Sequence, residues 1–184
     1  MTQLSDVMDL VRQIHECRIS SCIAVTGVGT QAVAWLFAVP GASRTILDVQ
    51  VPYSAASLYQ YIGKETPQHV SSEVAMLMAE SARARALTLP RAGRPRPDDR
   101  FIGLACTGAV ATDRIRRGED RAVVAWTDGK ETATCTLSFN KSLRNRASEE
   151  RDSSLLIVNC LAEACGIERR IPIELLQGER IARN

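Results

Sequence analysis

The sequence predicts an α/β fold in which helices cover both faces of a mixed, mainly parallel sheet, as in a three-layer α/β/α sandwich. Segments with helical and strand periodicity alternate through the first half of the chain, which favours parallel strands joined by helical crossovers. An Asp128-Gly129 turn between two alternating runs indicates a hairpin, and therefore antiparallel strands as well. The 184 residues, 45% of them hydrophobic, are enough for one well-buried domain over 1–184 and too few for two.

Helices are predicted where apolar residues recur every three or four positions, and strands where apolar and polar residues alternate. The helices are expected over 5–17, 31–39, 54–62, 71–87 and 142–164. The strands are expected over 21–25, 44–51, 101–106, 122–127 and 130–139. The second helix is apolar on all sides, which predicts that it is buried, and Thr30 is its expected N-cap.

Two segments give no regular pattern. Residues 89–100 carry three prolines and four arginines, which predict an irregular loop and leave open that it forms a lid over an anionic ligand. The tail 167–184 is ambiguous, and the sequence leaves open whether it packs on its own domain or on a neighbouring subunit.

Charge and composition exclude several classes of partner. The formal net charge of +2 gives no argument for a nucleic-acid partner. The longest uncharged apolar stretch, 23–43, contains Gly, Thr, Gln and Pro and does not suit a membrane span, and no leader segment is visible. Six cysteines without a C-x-x-C pair indicate reduced structural thiols instead of a metal site. We therefore expect a cytoplasmic protein that binds no membrane and carries no metal or other cofactor.

The glycine-rich segment Thr26-Gly27-Val28-Gly29-Thr30 lies between a predicted strand and a predicted helix. A strand, glycine turn and helix in this order can hold a phosphate at the helix N-terminus. The segment also fits G-x-G-x-x-A, and Asp48 follows Gly29 by 19 residues, near the spacing of a dinucleotide-binding fold. A third interpretation is a tight turn that binds nothing, in which the glycines only supply positive φ.

Four further segments occur in a fixed order along the chain. They are Val39-Pro40-Gly41-Ala42-Ser43, then Val51-Pro52-Tyr53-Ser54, then Val70-Ser71-Ser72-Glu73-Val74-Ala75 with Met78-Ala79-Glu80, and finally Cys106-Thr107-Gly108. Taken together, these segments resemble the C-terminal domain of the CinA family, the nicotinamide-nucleotide amidohydrolases. The resemblance covers about residues 20–165 and implies a CinA-like three-layer α/β/α domain, a homo-oligomer, with a small-molecule nucleotide as its ligand.

The resemblance also implies a reaction and a set of site residues. The reaction is hydrolysis of the carboxamide of nicotinamide mononucleotide to the acid and ammonia. Thr26 stands at the position of the nucleophilic serine, and Tyr53 is retained. The residues that the resemblance places on the substrate or its phosphate are Gly27, Gly29, Thr30, Ser54, Thr107, Gly108, Arg144 and Arg146.

One departure bears directly on the chemistry. Leu58 stands where the family has the lysine that accepts the nucleophile's proton, and a leucine side chain cannot do so. Two function hypotheses follow: a divergent amidohydrolase with Thr26 as nucleophile and Tyr53 as proton carrier, or a catalytically inactive nucleotide-binding or interaction domain. A dinucleotide-binding protein is the further alternative.

Overall fold

The computed structural model describes residues 3–17, 19–89, 99–113 and 117–184. Most of the predicted loop 89–100 lies outside the described residues.

The described strands form one six-stranded mixed sheet in the order β2-β1-β3-β4-β5-β6. Their bounds are β1 (Ile19–Thr26), β2 (Ile46–Gln50), β3 (Arg100–Ala109), β4 (Asp120–Thr127), β5 (Thr132–Phe139) and β6 (Arg180–Arg183). β1 pairs in parallel with both of its neighbours, and the remaining pairs are antiparallel. As a result β1, β2, β3 and β5 run in one direction and β4 and β6 in the other, which confirms the predicted sheet.

Helices cover both faces of this sheet. Their bounds are α1 (Gln3–Glu16), α2 (Thr30–Ala38), α3 (Ala55–Ile62), α4 (Ser72–Thr88) and α5 (Arg146–Ala164), with a short 3₁₀ turn at Ala42–Arg44. α1, α2 and α5 pack together on one face, and α3 and α4 pack on the other. This arrangement is the predicted three-layer α/β/α sandwich.

Side-chain caps explain where three of the helices begin. Ser54 accepts a hydrogen bond from the N–H of Ser57 at 3.2 Å, and Ser71 accepts one from the N–H of Val74 at 3.1 Å. Asn145 and Ser148 form a reciprocal capping box at the start of α5. Because Asn145 has an extended backbone, α5 begins at Arg146 instead of at the predicted residue 142.

Two sequence predictions around α2 need correction. Gly29, with φ +103°, is the N-cap residue, and Thr30 is the first residue of the helix. The helix is also only partly buried: Ala32, Trp35 and Leu36 face the core, whereas Phe37 is 56% exposed. A helix that packs on one side exposes its outer face even when that face is apolar, so composition alone overstated the burial.

The C-terminal tail packs on its own chain. β6 extends the sheet by pairing with β5, in register from Cys135 with Arg183 to Ser138 with Arg180. Ahead of it, the Asn159 side chain of α5 bonds both the N–H and the carbonyl of Ile171, at 2.7 and 2.8 Å. These contacts join Ile171 to α5 and residues 180–183 to the sheet of the same chain.

The alternation along β1 fixes which way its last side chain faces. Ile23 and Val25 belong to the core under α1, α2 and α5, whereas Ala24 belongs to the core under α3 and α4. Thr26 follows with the parity of Ala24 and therefore faces the α3–α4 side at the carboxyl end of the strand. The same edge receives the end of β3, and the candidate site lies there.

Candidate functional site

Two threonines lie side by side where β1 and β3 end. Thr26 and Thr107 are register partners in the parallel pair, so their side chains face the same side of the sheet. The Thr107 hydroxyl donates a hydrogen bond to the carbonyl oxygen of His69 at 2.7 Å. The Thr26 side chain is 7% exposed, and its hydroxyl bonds to no group in the described part of the chain. Thr26 therefore offers an accessible and unengaged hydroxyl at this edge.

The glycines that follow these threonines let the two strand ends approach closely. Gly27 has φ +79°, and a Cβ there would lie 2.0 Å from the carbonyl oxygen of Gly108. A Cβ on Gly108 would lie 2.2 Å from Cγ1 of Val28. At Gly27 glycine is required both for the positive φ and for the contact with backbone, whereas at Gly108 it is required for the close contact with the Val28 side chain.

A cavity of about 350 Å³ opens between these strand ends and α3. It is lined by Thr26, Gly27, Tyr53, Ala55, Leu58, His69, Val70, Thr107, Gly108, Ala109, Val110, Thr112 and Arg146. A more open depression of about 660 Å³ adjoins it and shares Tyr53, Thr112 and Arg146. Both volumes lie within the usual range for small-molecule sites.

Arg146 connects the two loops that follow β1 and β3. Its guanidinium donates to the carbonyl oxygen of Gly27 at 2.9 Å and to that of Ala111 at 3.3 Å. No carboxylate of the described residues pairs with it, and a guanidinium has five N–H donors, so donors remain for an anionic ligand. Arg146 thus holds the two loops together and places an exposed positive charge on the wall of the cavity.

The two positions that the resemblance places around the nucleophile differ in burial. Leu58 is 2% exposed and forms part of the apolar wall of the cavity. Tyr53 is 69% exposed and lies at the mouth, where the cavity and the adjoining depression meet. No lysine is among the described residues that line the cavity. Lys64 lies outside the cavity and pairs with Glu73 at 3.1 Å.

His69 is a site residue that the sequence analysis did not identify. It lies in the loop between α3 and α4 and lines the cavity. Its Nε2 is 2.7 Å from the hydroxyl of Tyr59, which in turn donates to the carbonyl oxygen of Thr66 at 3.2 Å. The available signal was a histidine two residues before the Ser71 cap, but only the fold shows that this loop reaches Thr107.

The N-terminus of α2, expected to hold a phosphate, instead holds a carboxylate of this chain. Glu150 of α5 accepts from the N–H of Gly29 at 2.9 Å, from the hydroxyl of Thr30 at 3.1 Å and from the N–H of Gln31 at 2.9 Å. A carboxylate satisfies the unpaired donors of a helix N-terminus in the same way that an anion does. Gly29 and Thr30 therefore have their donors engaged, and neither lines the cavity.

Two other predicted residues have structural partners. Ser54 caps α3 and does not line the cavity. Arg144 is buried and bonds Asp152 at 2.7 Å and Glu179 at 2.6 Å. Of the two arginines that the sequence offered, Arg146 lines both the cavity and the adjoining depression, whereas Arg144 lines only the depression and has its guanidinium paired with Asp152 and Glu179.

Comparison with solved structures finds the same architecture in CinA-related proteins. Competence/damage inducible protein CihA from Agrobacterium tumefaciens superposes with a TM-score of 0.69 at 15% identity, covering 88% of this chain and 96% of that one. A competence-damaged protein (CinA) superfamily protein from Klebsiella pneumoniae gives 0.69 at 14%, covering 90% and 99%. A competence or damage-inducible protein from Enterobacter asburiae gives 0.64 at 18%, covering 90% and 98%. The chain has the CinA-type fold.

Sequence comparison adds nothing to this likeness. No protein-family model matches the chain, and no curated protein matches it significantly. At 14–18% identity the shared property is the fold, so the chemistry of this version of the CinA-type fold has to be argued from its own residues.

Asp48, the acid of the dinucleotide alternative, is engaged within the sheet and α4. It lies in the middle of β2 and not at its carboxyl end. Burial opposes its ionisation, but hydrogen bonds from Arg85 and Gln50 outweigh that effect and lower the pKa of the carboxyl. It does not line the cavity, so the acid and the glycine turn do not share a site in this CinA-type fold.

A cysteine thiol and a metal cluster are two further sources of chemistry to consider among the described residues. Cys106 precedes Thr107 but is fully buried among the residues under α1, α2 and α5, and burial raises the pKa of its thiol. The described residues contain no group of three or more potential metal ligands. No helix within the described ranges is long and apolar enough to cross a membrane.

Proposed function

We propose that the chain is an amidohydrolase that cleaves the carboxamide of a small phosphorylated molecule, with nicotinamide mononucleotide as the first candidate. The observation that carries the proposal is the Thr26 hydroxyl, unengaged at the carboxyl end of β1 and facing a cavity that Arg146 also lines. Ligands of open α/β sheets bind at this end of the strands. The CinA-type fold and the resemblance around Tyr53 and Thr107 support the choice of reaction.

The proposed reaction has two steps, and the Thr26 Oγ1 atom takes part in both. Thr26 Oγ1 attacks the carboxamide carbon, a C–O bond forms, the C–N bond breaks, and the hydroxyl proton leaves with the amine as ammonia. Water then adds to the resulting ester, the ester C–O bond breaks, a proton from the water restores the Thr26 hydroxyl, and the acid is released. Backbone N–H groups that follow Thr26 and Thr107 are proposed as the donors for the oxyanion that forms in each step.

Arg146 supplies the charge that a phosphorylated substrate requires. Its position between the cavity and the adjoining depression lets the carboxamide reach Thr26 while a phosphate occupies the more open space. Arginine binds phosphate through two parallel hydrogen bonds, and its backbone contacts with Gly27 and Ala111 hold it in place. Tyr53, at the mouth, is placed to contact the part of the substrate between these two ends.

A binding module without catalysis is the second candidate, and Leu58 favours it. A buried leucine in the wall next to Thr26 leaves the position of the family's proton acceptor apolar. In that case the cavity would bind the nucleotide and leave its amide intact.

Binding and turnover of nicotinamide mononucleotide separate the two candidates. Isothermal titration measures binding, and a coupled assay measures ammonia release from the same protein preparation. The amidohydrolase predicts both signals, and the binding module predicts binding alone. Absence of binding would contradict both candidates.

A further inference from the structure

We infer that His69 is the general base that activates Thr26, in place of the lysine whose position Leu58 occupies. This inference rests on the proposed hydrolysis and adds the proton acceptor that the reaction requires. Histidine is the side chain that most often performs this step, and His69 is the histidine that lines the cavity.

The hydrogen bonds around His69 leave one ring nitrogen available. Tyr59 has a single phenolic proton, which it donates to the carbonyl oxygen of Thr66, an atom that cannot donate in return. We assign the proton of the 2.7 Å contact to Nε2, which then donates it to the phenol oxygen, because this assignment satisfies the Thr66 carbonyl and the Nε2 contact together. This tautomer, assigned from the network, leaves the lone pair on Nδ1 free to accept a proton.

Hydrogen bonds hold the backbone of the loop that carries His69, and Tyr59 contacts its imidazole ring. The carbonyl oxygen of His69 accepts from the Thr107 hydroxyl at 2.7 Å, and that of Val70 accepts from the Arg121 guanidinium at 2.7 Å. Tyr59 also contacts the imidazole edge-on, with 5.4 Å between ring centroids. A base held by its backbone and by its ring needs little reorganisation when substrate binds.

The same contacts bring His69 near Thr26. Thr107 is the register partner of Thr26, and neighbouring strands lie about 4.8 Å apart. The backbone carbonyl of His69 is therefore one hydrogen bond and one strand spacing away from Thr26, and both residues line the cavity. No direct hydrogen bond joins them, so the proton moves when substrate closes the gap or through one intervening water.

The proton balance is complete within the site. His69 accepts the Thr26 proton as the C–O bond forms and gives it to the departing nitrogen, which leaves as ammonia. In the second step His69 accepts a proton from the attacking water and returns it to Thr26 as the ester breaks. Tyr59 touches neither substrate nor Thr26 and is a positioning residue that holds the ring in the required tautomer.

The test measures ammonia release from nicotinamide mononucleotide by wild type, Thr26→Val, His69→Ala and Tyr59→Phe. His69→Ala should lower kcat by about 10²–10⁴-fold with little change in binding. Because the His69 ring is exposed to solvent, imidazole added to His69→Ala should raise its kcat at least about tenfold. A purely structural role of His69 would give no such rescue. Tyr59→Phe should lower kcat more than it changes KM, and Gln68→Ala, in the same loop, should match wild type.

The outcomes separate this inference from the proposed function. Release that requires Thr26 but persists in His69→Ala would overturn the role of His69 and leave the amidohydrolase intact. A His69→Ala variant that has lost binding and does not respond to imidazole would also overturn it. No release from wild type that still binds the nucleotide would overturn the proposed hydrolysis and the role of His69 together.

Discussion

The Glu150 carboxylate accepts a hydrogen bond from the backbone N–H of Gly29 at 2.9 Å, across 121 residues of sequence. The same carboxylate bonds Thr30 and Gln31, so one side chain of α5 caps α2 and closes the glycine turn. The glycine turn has the geometry of an anion-binding site, and the anion that it binds is the Glu150 carboxylate of the same chain. The two faces of the glycine turn therefore differ in role. Glu150 covers one face, and the other faces the cavity beside Thr26.

Replacing Glu150 should therefore destabilise the fold and expose an anion site. Glu150→Ala leaves three donors at the start of α2 without their acceptor, which should cost about 1–3 kcal/mol in urea denaturation. Inorganic phosphate should then raise the melting temperature of the variant more than that of wild type. Glu168→Ala, an exposed glutamate on the same chain, should change stability by less than about 0.5 kcal/mol. Equal stability of Glu150→Ala and wild type would contradict the capping role.

The contact between the two glycine loops gives a second prediction. Gly27→Ala and Gly63→Ala introduce a methyl group at nearly the same φ, +79° and +76°, but only the first meets a neighbour. Gly63→Ala should cost about 1 kcal/mol from backbone strain alone. Gly27→Ala should cost about 1–3 kcal/mol more, because its Cβ meets the Gly108 carbonyl, and it should also weaken ligand binding. Equal unfolding free energies for the two variants would show that the loops are not in close contact.

Acid should destabilise the protein through the Arg144 cluster. Hydrogen bonds from Arg144, opposed by burial, lower the pKa of Glu179 from 4.5 to about 2. A carboxyl with a lowered folded-state pKa contributes stability above its unfolded pKa and loses it as pH falls through the folded value. The loss should therefore amount to about 3 kcal/mol between pH 4.5 and pH 2.

Glu179→Gln tests this assignment. The variant should be less stable than wild type at neutral pH and should show a flatter decline between pH 4.5 and pH 2. Some slope should remain, because the pKa of Asp128 also lies at about 2, where hydrogen bonds from Glu131, Arg100 and Lys130 outweigh burial. Parallel pH profiles for variant and wild type would contradict the role of Glu179.

Arg146 gives the prediction for ligand binding. Arg146→Gln removes the charge on the cavity wall and should weaken binding of nicotinamide mononucleotide by about 10–100-fold, the usual effect of losing a charged hydrogen bond. Isothermal titration measures the change. Arg12→Gln, on the exposed side of α1, removes the same charge far from the site and should leave the affinity unchanged. An equal loss in both variants would indicate a general charge effect instead of a binding contact.

The sequence predicts the strands and turns around this site better than the side-chain contacts within it. Thr26-Gly27 could be placed at a strand end because the hydrophobic run stops there and glycine follows, and the Asp128-Gly129 turn predicts the hairpin correctly. The predicted end of the third strand at residue 106 is wrong, because Thr107 and Gly108 still pair with β4 and β3 continues to Ala109. Arg144 and Arg146 could not be told apart, because the extended backbone at Asn145 sends one inward and the other to the cavity. Glu150 and His69 could not be found, since their partners lie in distant segments that only the packed sheet brings together.

The role of Thr26 as the nucleophile is tested by ammonia release from saturating nicotinamide mononucleotide by Thr26→Val and Thr26→Ser. Valine keeps the shape of threonine without the hydroxyl, and serine keeps the hydroxyl without the methyl group. We predict that Thr26→Val loses at least about 10³-fold in kcat while binding stays within a few-fold, and that Thr26→Ser retains turnover. Equal release by Thr26→Val and wild type, or no release by wild type, would contradict it.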